Sequence, residues 1–412
     1  MSNTLKFGNG EWYGKEGTIL AYNDENNNYK PLLFDFDRAS GATRVNKEGL
    51  IEVVTNNKPR VDFKDDSKGA LLLEPQRTNL IAYSEDFTDA SWLKTGSSIV
   101  SGFVSPDGTT NAFKLVEDTS TGVHYVYSNT ASSGLTPNIT YSFSFYVKPS
   151  GRTVISHIDW QNTDAGVNID VENETTNSVG SNIVSVNFTS MGDGFKKVEI
   201  VYNFDTLQAG ADNRIYLNNG GLSYTGNGTS GIYIWGAQLE VGSYATSYIP
   251  TQGSAVTRVA DSCNGAGNNQ VINSNEGVLY YESTYTDGSD YNSISISNTS
   301  GTEKCRIWYD NTNLIFATYV GGVNQTFIGY PISKGITYKI GIRYKLNDFA
   351  LFVDGVKATN IIVSLGGVSP ANSYNKLNLN SGNNYNKLYG NVKDLRVYNT
   401  ALTDKELQAL TS

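Results

Sequence analysis

The side chains that could do proton or nucleophile chemistry are few in this chain of 412 residues. It contains two histidines, His124 and His157, so few residues are available as the general base that would activate a nucleophilic hydroxyl or thiol. Both lie in runs with the residue pattern of β-strands, at 122–127 and 155–159. The sequence has no serine nucleophile elbow, phosphate-binding loop or HExxH motif. We therefore predict that both histidines are structural or surface residues.

Paired carboxylates are the usual alternative for sugar hydrolysis, because glycosidases need two of them at a defined separation. Glu282, Glu303 and Asp310 are carboxylates within 276–412, the part of the chain where such a pair would be sought. They lack the Glu-x-Asp-x-x-Glu spacing, found in some hydrolases, that places the two groups on one strand. We predict that they are solvated surface groups and that the protein is not an enzyme.

Two Asp-Gly turns offer the oxygen ligands that calcium prefers, at 287–290 and 191–194. Neither matches an EF-hand loop, and the second contains one carboxylate, Asp193. Asp-Gly pairs more often serve turn geometry than metal binding. The prediction is a chain without a cofactor, with calcium as the alternative.

Aromatic side chains in polar company could bind sugars, because a ring face contacts the C–H side of a pyranose while Asn, Asp and Gln bond its hydroxyls. Trp160 and Trp308 have such company, the latter with Tyr309 beside it. We take Trp160, Trp308 and Tyr309 as the candidate glycan contacts. Packing in a core is the competing interpretation, and it is favoured for each tryptophan, including Trp92 and Trp235.

Strands must position these residues, because the composition is that of an all-β protein. The chain has 27 Tyr, 16 Phe and 41 Gly, with 2 Met and 9 Pro. Aromatic and β-branched residues set between Gly, Asn and Ser turns are typical of sheets. Cys263 and Cys305 lie far apart without a CxxC motif, which predicts two buried, reduced thiols.

The net charge of −9 and the lack of a basic cluster argue against a nucleic-acid partner. No stretch approaches the roughly 18 apolar residues of a membrane span, so we predict no membrane insertion. The amino terminus lacks an apolar signal segment, and the expectation is a protein made and kept in a cytosol until release.

Alternation with a period of two marks the strands. Within 71–252 the apolar series Tyr141, Phe143, Phe145, Val147 alternates with more polar neighbours, and turn signals separate many such runs. This spacing predicts a sandwich or jelly roll. Farther on, 338–356 predicts a strand hairpin that ends in Asp354-Gly355. The last strand leads into a short helix, where Thr403 and Glu406 have the spacing of a capping box.

Two stretches resemble the opening and closing segments of a jelly-roll module, similar to carbohydrate-binding modules, that recurs in bacteriophage tail and fibre proteins. They are LLLEPQRTNLIAYSEDF at 71–87 and IYIWGAQLEVGSYATSYIPTQGSAVTRVAD at 232–261. Residues 276–412 resemble concanavalin-like, laminin-G-like domains, which share the Val-Asp-Gly hairpin and a terminal Leu-Thr-Asp-x-Glu-Leu helix. Residues 1–70 resemble the amino-terminal segment of phage fibre proteins.

The expected organisation follows from these resemblances and from composition. It comprises a virion-attachment segment at 1–70, a jelly-roll domain at 71–252, a Gly/Asn-rich linker at 253–275 and a concanavalin- or laminin-G-like sandwich with a short terminal helix at 276–412.

The resemblances imply a virion fibre, on a phage tail or head, that attaches to host-surface glycans through non-catalytic β-sandwich modules. Its partners would be other virion proteins, bound through the amino-terminal segment, and a host polysaccharide. A homo-oligomer is expected, with a trimer favoured, because fibres are commonly closed symmetric assemblies. One alternative is a structural decoration or spacer protein without a glycan ligand. A second alternative is a capsular polysaccharide depolymerase.

Overall fold

A computed structural model describes residues 34–128, 135–159, 162–204, 213–285, 292–310 and 312–412, together with the backbone of four short strands before residue 34. Contacts divide the chain into two compact units. We call them the terminal unit (Met1–Gly41, Val54–Pro75 and Val259–Ser412) and the central unit (Ala42–Val53 and Gln76–Arg258). Strands dominate both, and the predicted all-β class is confirmed.

The central unit is a sandwich of two six-stranded antiparallel sheets. In spatial order, the first, which we call the tyrosine sheet, consists of Trp92–Thr95, Tyr125–Ser128, Asn213–Asn218, Val154–Asp159, Asn162–Asp170 and Thr175–Asn177. The second, the opposing sheet, consists of Ser97–Phe103, Ala112–Glu117, Gly231–Val241, Ile139–Ser150, Lys196–Phe204 and Ile183–Ser190. Two-stranded pairs join Ala42–Val45 to Ile51–Val54, Arg77–Asn79 to Val256–Arg258, and Thr121–Val123 to Ser223–Thr225.

The core between these two sheets contains the apolar side of each alternating strand. Tyr141, Phe143, Phe145 and Val147 are all buried there, as the sequence pattern predicts. The register against Gly231–Val241 shifts between Ser144 and Tyr146, because the partner strand has one extra residue there.

The terminal unit contains a nine-stranded and a six-stranded sheet. The larger places Val356–Lys357, Ala350–Val353, Thr337–Lys345, Glu276–Tyr285, Gly390–Tyr398, Thr4–Gly8 and Tyr22–Asn23 in order, with Ala70–Leu73 and Arg60–Asp62 attached. The smaller, which we call the tryptophan sheet, consists of Asn360–Ser364, Val323–Pro331, Asn313–Val320, Lys304–Asp310, Ser293–Ser297 and Lys376–Asn378. Two-stranded pairs join Asp35–Asp37 to Ser262–Asn264 and Gly14–Lys15 to Thr18–Ile19.

The core of the terminal unit draws on distant parts of the chain. Cys263 and Cys305 are both free and buried in it, as predicted, and burial raises the pKa of each thiol well above its ordinary value. Ala266 and Ile272 also belong to this core, so 253–275 contains packed residues where its polar composition predicted a linker. Cys263, Ala266 and Ile272, the core residues of this stretch, stand among many Gly and Asn and show no alternation in the sequence.

Residues 1–70, predicted as one segment, are divided between the two units. Ala70–Leu73 pairs with Gly390–Tyr398, and Arg60–Asp62 pairs with Ala70–Leu73 in turn. These strands therefore extend the nine-stranded sheet of the terminal unit. Pairing between residues more than 300 positions apart leaves no local signal in the sequence.

The predicted hairpin and terminal helix are both present. Thr337–Lys345 pairs with Ala350–Val353, and Asn347 and Asp354 adopt the positive φ angles, 56° and 47°, that their tight turns require. The helix spans Asp404–Thr411 and is the α-helix of the described residues, so none of those residues forms a helix long enough to cross a membrane.

The capping box at the start of this helix should contribute measurably to stability. The Thr403 side chain accepts a hydrogen bond from the Glu406 amide, and the Glu406 carboxylate accepts one from the Thr403 amide at 2.7 Å. Thr403→Ala should lower the free energy of unfolding by about 1 kcal/mol, because it leaves the Glu406 amide without its acceptor. Urea denaturation measures this difference. The matched control is Thr359→Ala at an exposed position, and an equal loss in both variants would contradict the capping argument.

A buried ionic cluster connects three separated segments of the terminal unit. Asp261 accepts hydrogen bonds from Arg38 (3.1 Å), from Arg60 (2.5 Å) and from the Glu74 amide (2.8 Å). Arg60 also donates to the Glu74 carboxylate at 2.7 Å. Both guanidiniums and the Asp261 carboxylate are inaccessible to solvent. The cluster therefore links the chain before residue 75 to the segment that begins at Val259.

Candidate functional site

The structure places the sequence-predicted site residues in three different situations. Trp160 lies outside the described residues. Tyr309 is buried in the core of the terminal unit, where its ring stacks on Tyr285 with centroids 4.2 Å apart, so it is not available as a surface contact. Trp308 has an exposed fraction of 8% and projects from the opposite side of the same strand. Successive side chains of a strand point to opposite faces of the sheet, so Tyr309 faces the core and Trp308 faces outward.

The other two tryptophans singled out in the sequence are packed, as favoured. Trp92 lies in the core of the central unit with its ring centroid 4.5 Å from that of Phe87. Trp235 lies in a second buried cluster on the opposing sheet, against Tyr146 and Tyr248. Neither ring offers a face to solvent.

Both histidines are enclosed by the central unit. His157 is fully buried between Phe143 and Tyr202, and burial lowers the pKa of its imidazole to about 3. Nδ1 of His124 lies 2.5 Å from the Gly96 carbonyl oxygen, and its ring is also inaccessible. Each histidine therefore occupies a structural position, as predicted.

The three carboxylates considered for hydrolysis do not form a pair. Glu282 belongs to the nine-stranded sheet, whereas Glu303 and Asp310 lie at opposite ends of one strand of the tryptophan sheet. Glu303 accepts from the Gly321 amide at 2.6 Å and Asp310 accepts from Asn313 at 3.0 Å. Both carboxylates thus shape local turns.

The turns considered for calcium are described in part. Asp193 lies in a single 3-10 turn, Gly192–Gly194, with a φ of 56°, which is turn geometry. The turn at 287–290 lies outside the described residues. Among the residues that are described, no group of three or more His, Cys, Asp or Glu side chains is placed to hold a metal ion.

Glu117 is a buried carboxylate of the central unit. It accepts two hydrogen bonds from Arg152, at 2.8 and 2.7 Å, and one from the Tyr224 hydroxyl at 2.8 Å. Burial alone would raise the pKa of Glu117, but the bonds from Arg152, Asn227 and Tyr224 outweigh it and lower the pKa. A carboxylate held ionised and fully bonded is a structural anchor and a poor general acid.

A cluster that the sequence argument missed lies on the outer face of the tyrosine sheet. In the strand Tyr125–Ser128, Val126 points into the core, so Tyr125 and Tyr127 point outward. In the neighbouring strand Asn213–Asn218, Ile215 and Leu217 point inward, so Arg214 and Tyr216 point outward. Antiparallel register then sets Tyr125 opposite Tyr216 and Tyr127 opposite Arg214.

The geometry of this cluster is compact. The Tyr125 and Tyr216 ring centroids are 4.6 Å apart, and those of Tyr125 and Tyr127 are 6.0 Å apart. The Arg214 guanidinium lies 5.0 Å from the Tyr125 ring centroid and 4.9 Å from that of Tyr127. Tyr125 and Tyr127 are half-buried, so part of each ring meets solvent, whereas Tyr216 and Arg214 are buried, with exposed fractions of 3% and 8%. We call these four residues the tyrosine platform.

Amide and hydroxyl side chains continue the same row across the sheet. Tyr216 pairs with Ser156, which pairs with Asn168, which pairs with Asn177. The Ser156 hydroxyl donates to Asn168 at 2.6 Å and accepts from Asn218 at 2.9 Å, while Asn168 donates to Asn177 at 3.1 Å. These bonds hold the amides in place beside the aromatic end of the row.

The outer face therefore combines aromatic rings, one guanidinium and a line of ordered amides. Rings supply contacts for C–H faces, and the guanidinium and amides supply donors and acceptors for hydroxyls. A flat ligand with apolar and hydroxylated sides matches this combination. The outward positions of tyrosine and arginine are visible as alternation in the sequence, but the adjacency of their two strands is not.

Comparisons with known proteins give structural likeness alone. No family model and no curated protein matches the chain. Solved structures that are similar include the CBM40 module of the Ruminococcus gnavus IT-sialidase bound to alpha2,6 sialyllactose, at 12% identity over 36% of this chain and 94% of that chain, with a TM-score of 0.29. Another is the LG4-5 domains of the mouse laminin alpha1 chain, at 11% identity over 69% of this chain and 89% of that chain, with a TM-score of 0.25.

A third is the tandem CBM22-1-CBM22-2 domain of Paenibacillus barcinonensis Xyn10C, at 12% identity over 79% of this chain and 98% of that chain, with a TM-score of 0.24. Carbohydrate-binding modules and laminin G domains are thus among the structures that this chain is similar to. TM-scores this low carry no argument about function, and the sandwich fold stands on the strand pairing described above.

Proposed function

We propose that this protein binds glycans without cleaving them and that the tyrosine platform of the central unit is the contact. The observation that carries the proposal is the convergence of Tyr125, Tyr127, Tyr216 and Arg214 on one outer sheet face, beside a row of ordered amides. A sugar ring would lie against the partly exposed rings of Tyr125 and Tyr127, and its hydroxyls would bond to the amides of Asn168 and Asn177.

Binding should depend strongly on the platform. Tyr125→Ala is expected to weaken binding to a responsive glycan by about 5- to 30-fold, because it removes ring contact worth roughly 1–2 kcal/mol. A glycan array identifies the ligand, and titration calorimetry measures the affinity of each variant. Trp160→Ala in the same series tests the tryptophan that lies outside the described residues.

The matched control for this series is Tyr385→Ala. Tyr385 has an exposed fraction of 70% and belongs to the terminal unit, so its loss should change neither folding nor binding. Equal affinities for wild type, Tyr125→Ala and Tyr385→Ala would contradict the platform as the contact. A Tyr125→Ala protein that fails to fold is distinguished by its melt, and Tyr127→Ala then carries the test.

The biological setting that we propose is a phage virion, with the protein acting as a tail or head fibre that attaches to host polysaccharide. The support is the resemblance of 71–87 and 232–261 to segments of phage proteins. Several weak sites on one particle would gain avidity through effective concentration. Virion partners docked through the amino-terminal segment and a trimeric state belong to the same proposal.

The second candidate is a structural virion protein without a glycan ligand, which the sandwich architecture serves equally well. A phage adsorption assay separates the two. Purified protein that blocks adsorption supports attachment, whereas protein that labels virions and leaves adsorption unchanged supports the structural role. Shortened oligosaccharides after incubation with host capsule would instead support a depolymerase.

A further inference from the structure

The outer face of the tryptophan sheet in the terminal unit is a second aromatic surface. In the strand Lys304–Asp310, Cys305, Ile307 and Tyr309 point into the core, so Lys304, Arg306 and Trp308 point outward. The neighbouring strand contributes Tyr319 opposite Lys304, and Phe327 follows on the next strand.

The two cations on this face lie directly against aromatic rings. The Arg306 guanidinium is 4.6 Å from the Trp308 ring centroid, and the Lys304 ammonium is 4.9 Å from that of Tyr319. Phe327 packs edge-on against Trp308 at 5.6 Å. Lys304, Arg306, Tyr319 and Phe327 are all half-buried, so part of each side chain meets solvent, whereas the exposed fraction of Trp308 is 8%.

Neither cation is neutralised within the described part of the chain. Arg306 donates two hydrogen bonds to the uncharged Ser293 hydroxyl, at 3.1 and 2.7 Å, and no described carboxylate reaches ion-pair distance of Arg306 or Lys304. Asp310 lies at the far end of the strand and bonds Asn313. Burial lowers the pKa of both cations, and for Lys304 the nearby Arg306 adds to the shift.

Two half-buried positive charges with no counter-ion among the described residues stand out in a chain of net charge −9. Lys304 and Arg306 are alternate residues of one strand, about 7 Å apart. Their positive charges repel each other, and solvent screens this repulsion incompletely because both side chains are half-buried. A negatively charged ligand would relieve this repulsion and bond the guanidinium N–H groups that do not contact Ser293.

We propose that the outer face of the tryptophan sheet binds an anionic glycan, through Arg306 and Lys304 on its carboxylate or sulfate and through Trp308, Tyr319 and Phe327 on its ring. The proposal rests on the glycan-binding function argued above and extends it to a second unit and a ligand class. The aromatic rings fit the C–H face of the sugar that bears the charge. The acidic chain argues against a nucleic acid as the occupant.

The test is binding of the full-length protein to three soluble polymers by biolayer interferometry. Polygalacturonate has carboxylates, dextran sulfate has sulfates on a neutral backbone, and dextran has no charge. We expect polygalacturonate or dextran sulfate to bind at least tenfold more tightly than dextran, and the tighter of the two identifies the anion. Binding should weaken as salt is raised, because the charges are partly exposed.

Variants locate the site. Arg306→Gln and Lys304→Gln should each weaken acidic-polymer binding by about tenfold, since each removes one charge-assisted contact. Lys405→Gln makes the same charge change at an exposed position on the terminal helix and should leave binding unchanged. The Lys304 ammonium makes no hydrogen bond to the described residues, so Lys304→Gln keeps the test usable if Arg306→Gln is unstable.

The outcomes separate this inference from the proposed function. Acidic-polymer binding that persists in Tyr125→Ala and is lost in Arg306→Gln supports the second site. The inference is overturned if acidic polymers bind no more tightly than dextran, if Lys304→Gln keeps full affinity, or if single-stranded DNA competes better than either polymer. In each of those cases binding of a neutral glycan to the tyrosine platform still stands. Absence of binding to every glycan tested would overturn both.

Discussion

Replacing Asp261 with alanine is expected to lower the free energy of unfolding by about 3–5 kcal/mol, the cost of leaving a buried ionic group without its partner. The Asp261 carboxylate contacts Arg38 at 3.1 Å and Arg60 at 2.5 Å, and solvent reaches none of the three groups. Its removal leaves two guanidinium charges in the interior with Glu74 as the remaining acidic neighbour of Arg60. Urea denaturation followed by far-ultraviolet circular dichroism measures the loss.

The matched control for Asp261→Ala is Asp65→Ala in the same unit. Asp65 contacts Lys64 at 4.0 Å, and more than half of its side chain is exposed, so its replacement should have little effect on the unfolding midpoint. Equal midpoints for Asp261→Ala and wild type would contradict the view that the buried cluster holds the segments of the terminal unit together. Asp261→Asn keeps the shape of the side chain and separates loss of charge from loss of packing.

Lowering the pH should destabilise the central unit through His157. Burial lowers the pKa of this imidazole from 6.5 to about 3, so the folded protein keeps it neutral while the unfolded chain protonates it. The unfolded state therefore binds more protons between those two values, and stability falls as the pH falls through that window. The expected loss is about 1.4 kcal/mol per pH unit, or roughly 3 kcal/mol between about pH 6.5 and 4.

Comparison with His157→Leu isolates this contribution from the titration of carboxylates. Leucine is uncharged at every pH and suits the apolar site between Phe143 and Tyr202. The difference in unfolding free energy between wild type and variant should therefore change by about 3 kcal/mol across the window. Parallel stability profiles for the two proteins would mean that His157 is not held neutral in the folded state.

Local patterns were enough to predict much of the fold. Tyr141, Phe143 and Phe145 alternate in the sequence and line the core of the central unit. The Thr403–Glu406 capping box and the turn at Asp354 involve residues three positions apart or closer, so a few neighbouring residues are enough to predict their geometry. The all-β class and the terminal helix follow from such stretches.

Contacts between distant segments could not be predicted from the sequence. Arg60–Asp62 and Ala70–Leu73 look like isolated short strands until Gly390–Tyr398 pairs with one of them. The Asp261 cluster likewise joins side chains that are as many as 223 positions apart. A charged residue in a polar stretch gives no sign that it will be buried, because its partners come from other segments.

The candidate site was missed for the same reason. Trp308 and Tyr309 were predicted as glycan contacts because tryptophan in a polar stretch is a common sugar-binding residue. Side chains alternate along their strand, however, and Tyr309 lies in the core. The tyrosine platform needed knowledge that Tyr125–Ser128 lies beside Asn213–Asn218. Outward aromatic residues on separate strands are the sequence signal that could have found it, once the order of strands is known.

The most direct test of the tyrosine platform as the glycan contact is a crystal structure of the protein with the oligosaccharide that it binds most tightly on the glycan array. We predict a sugar ring against Tyr125 and Tyr127, with the Asn168 or Asn177 side chain within hydrogen-bond distance of a sugar hydroxyl. A neutral oligosaccharide seated on the opposing sheet, with the tyrosine platform empty, would contradict it.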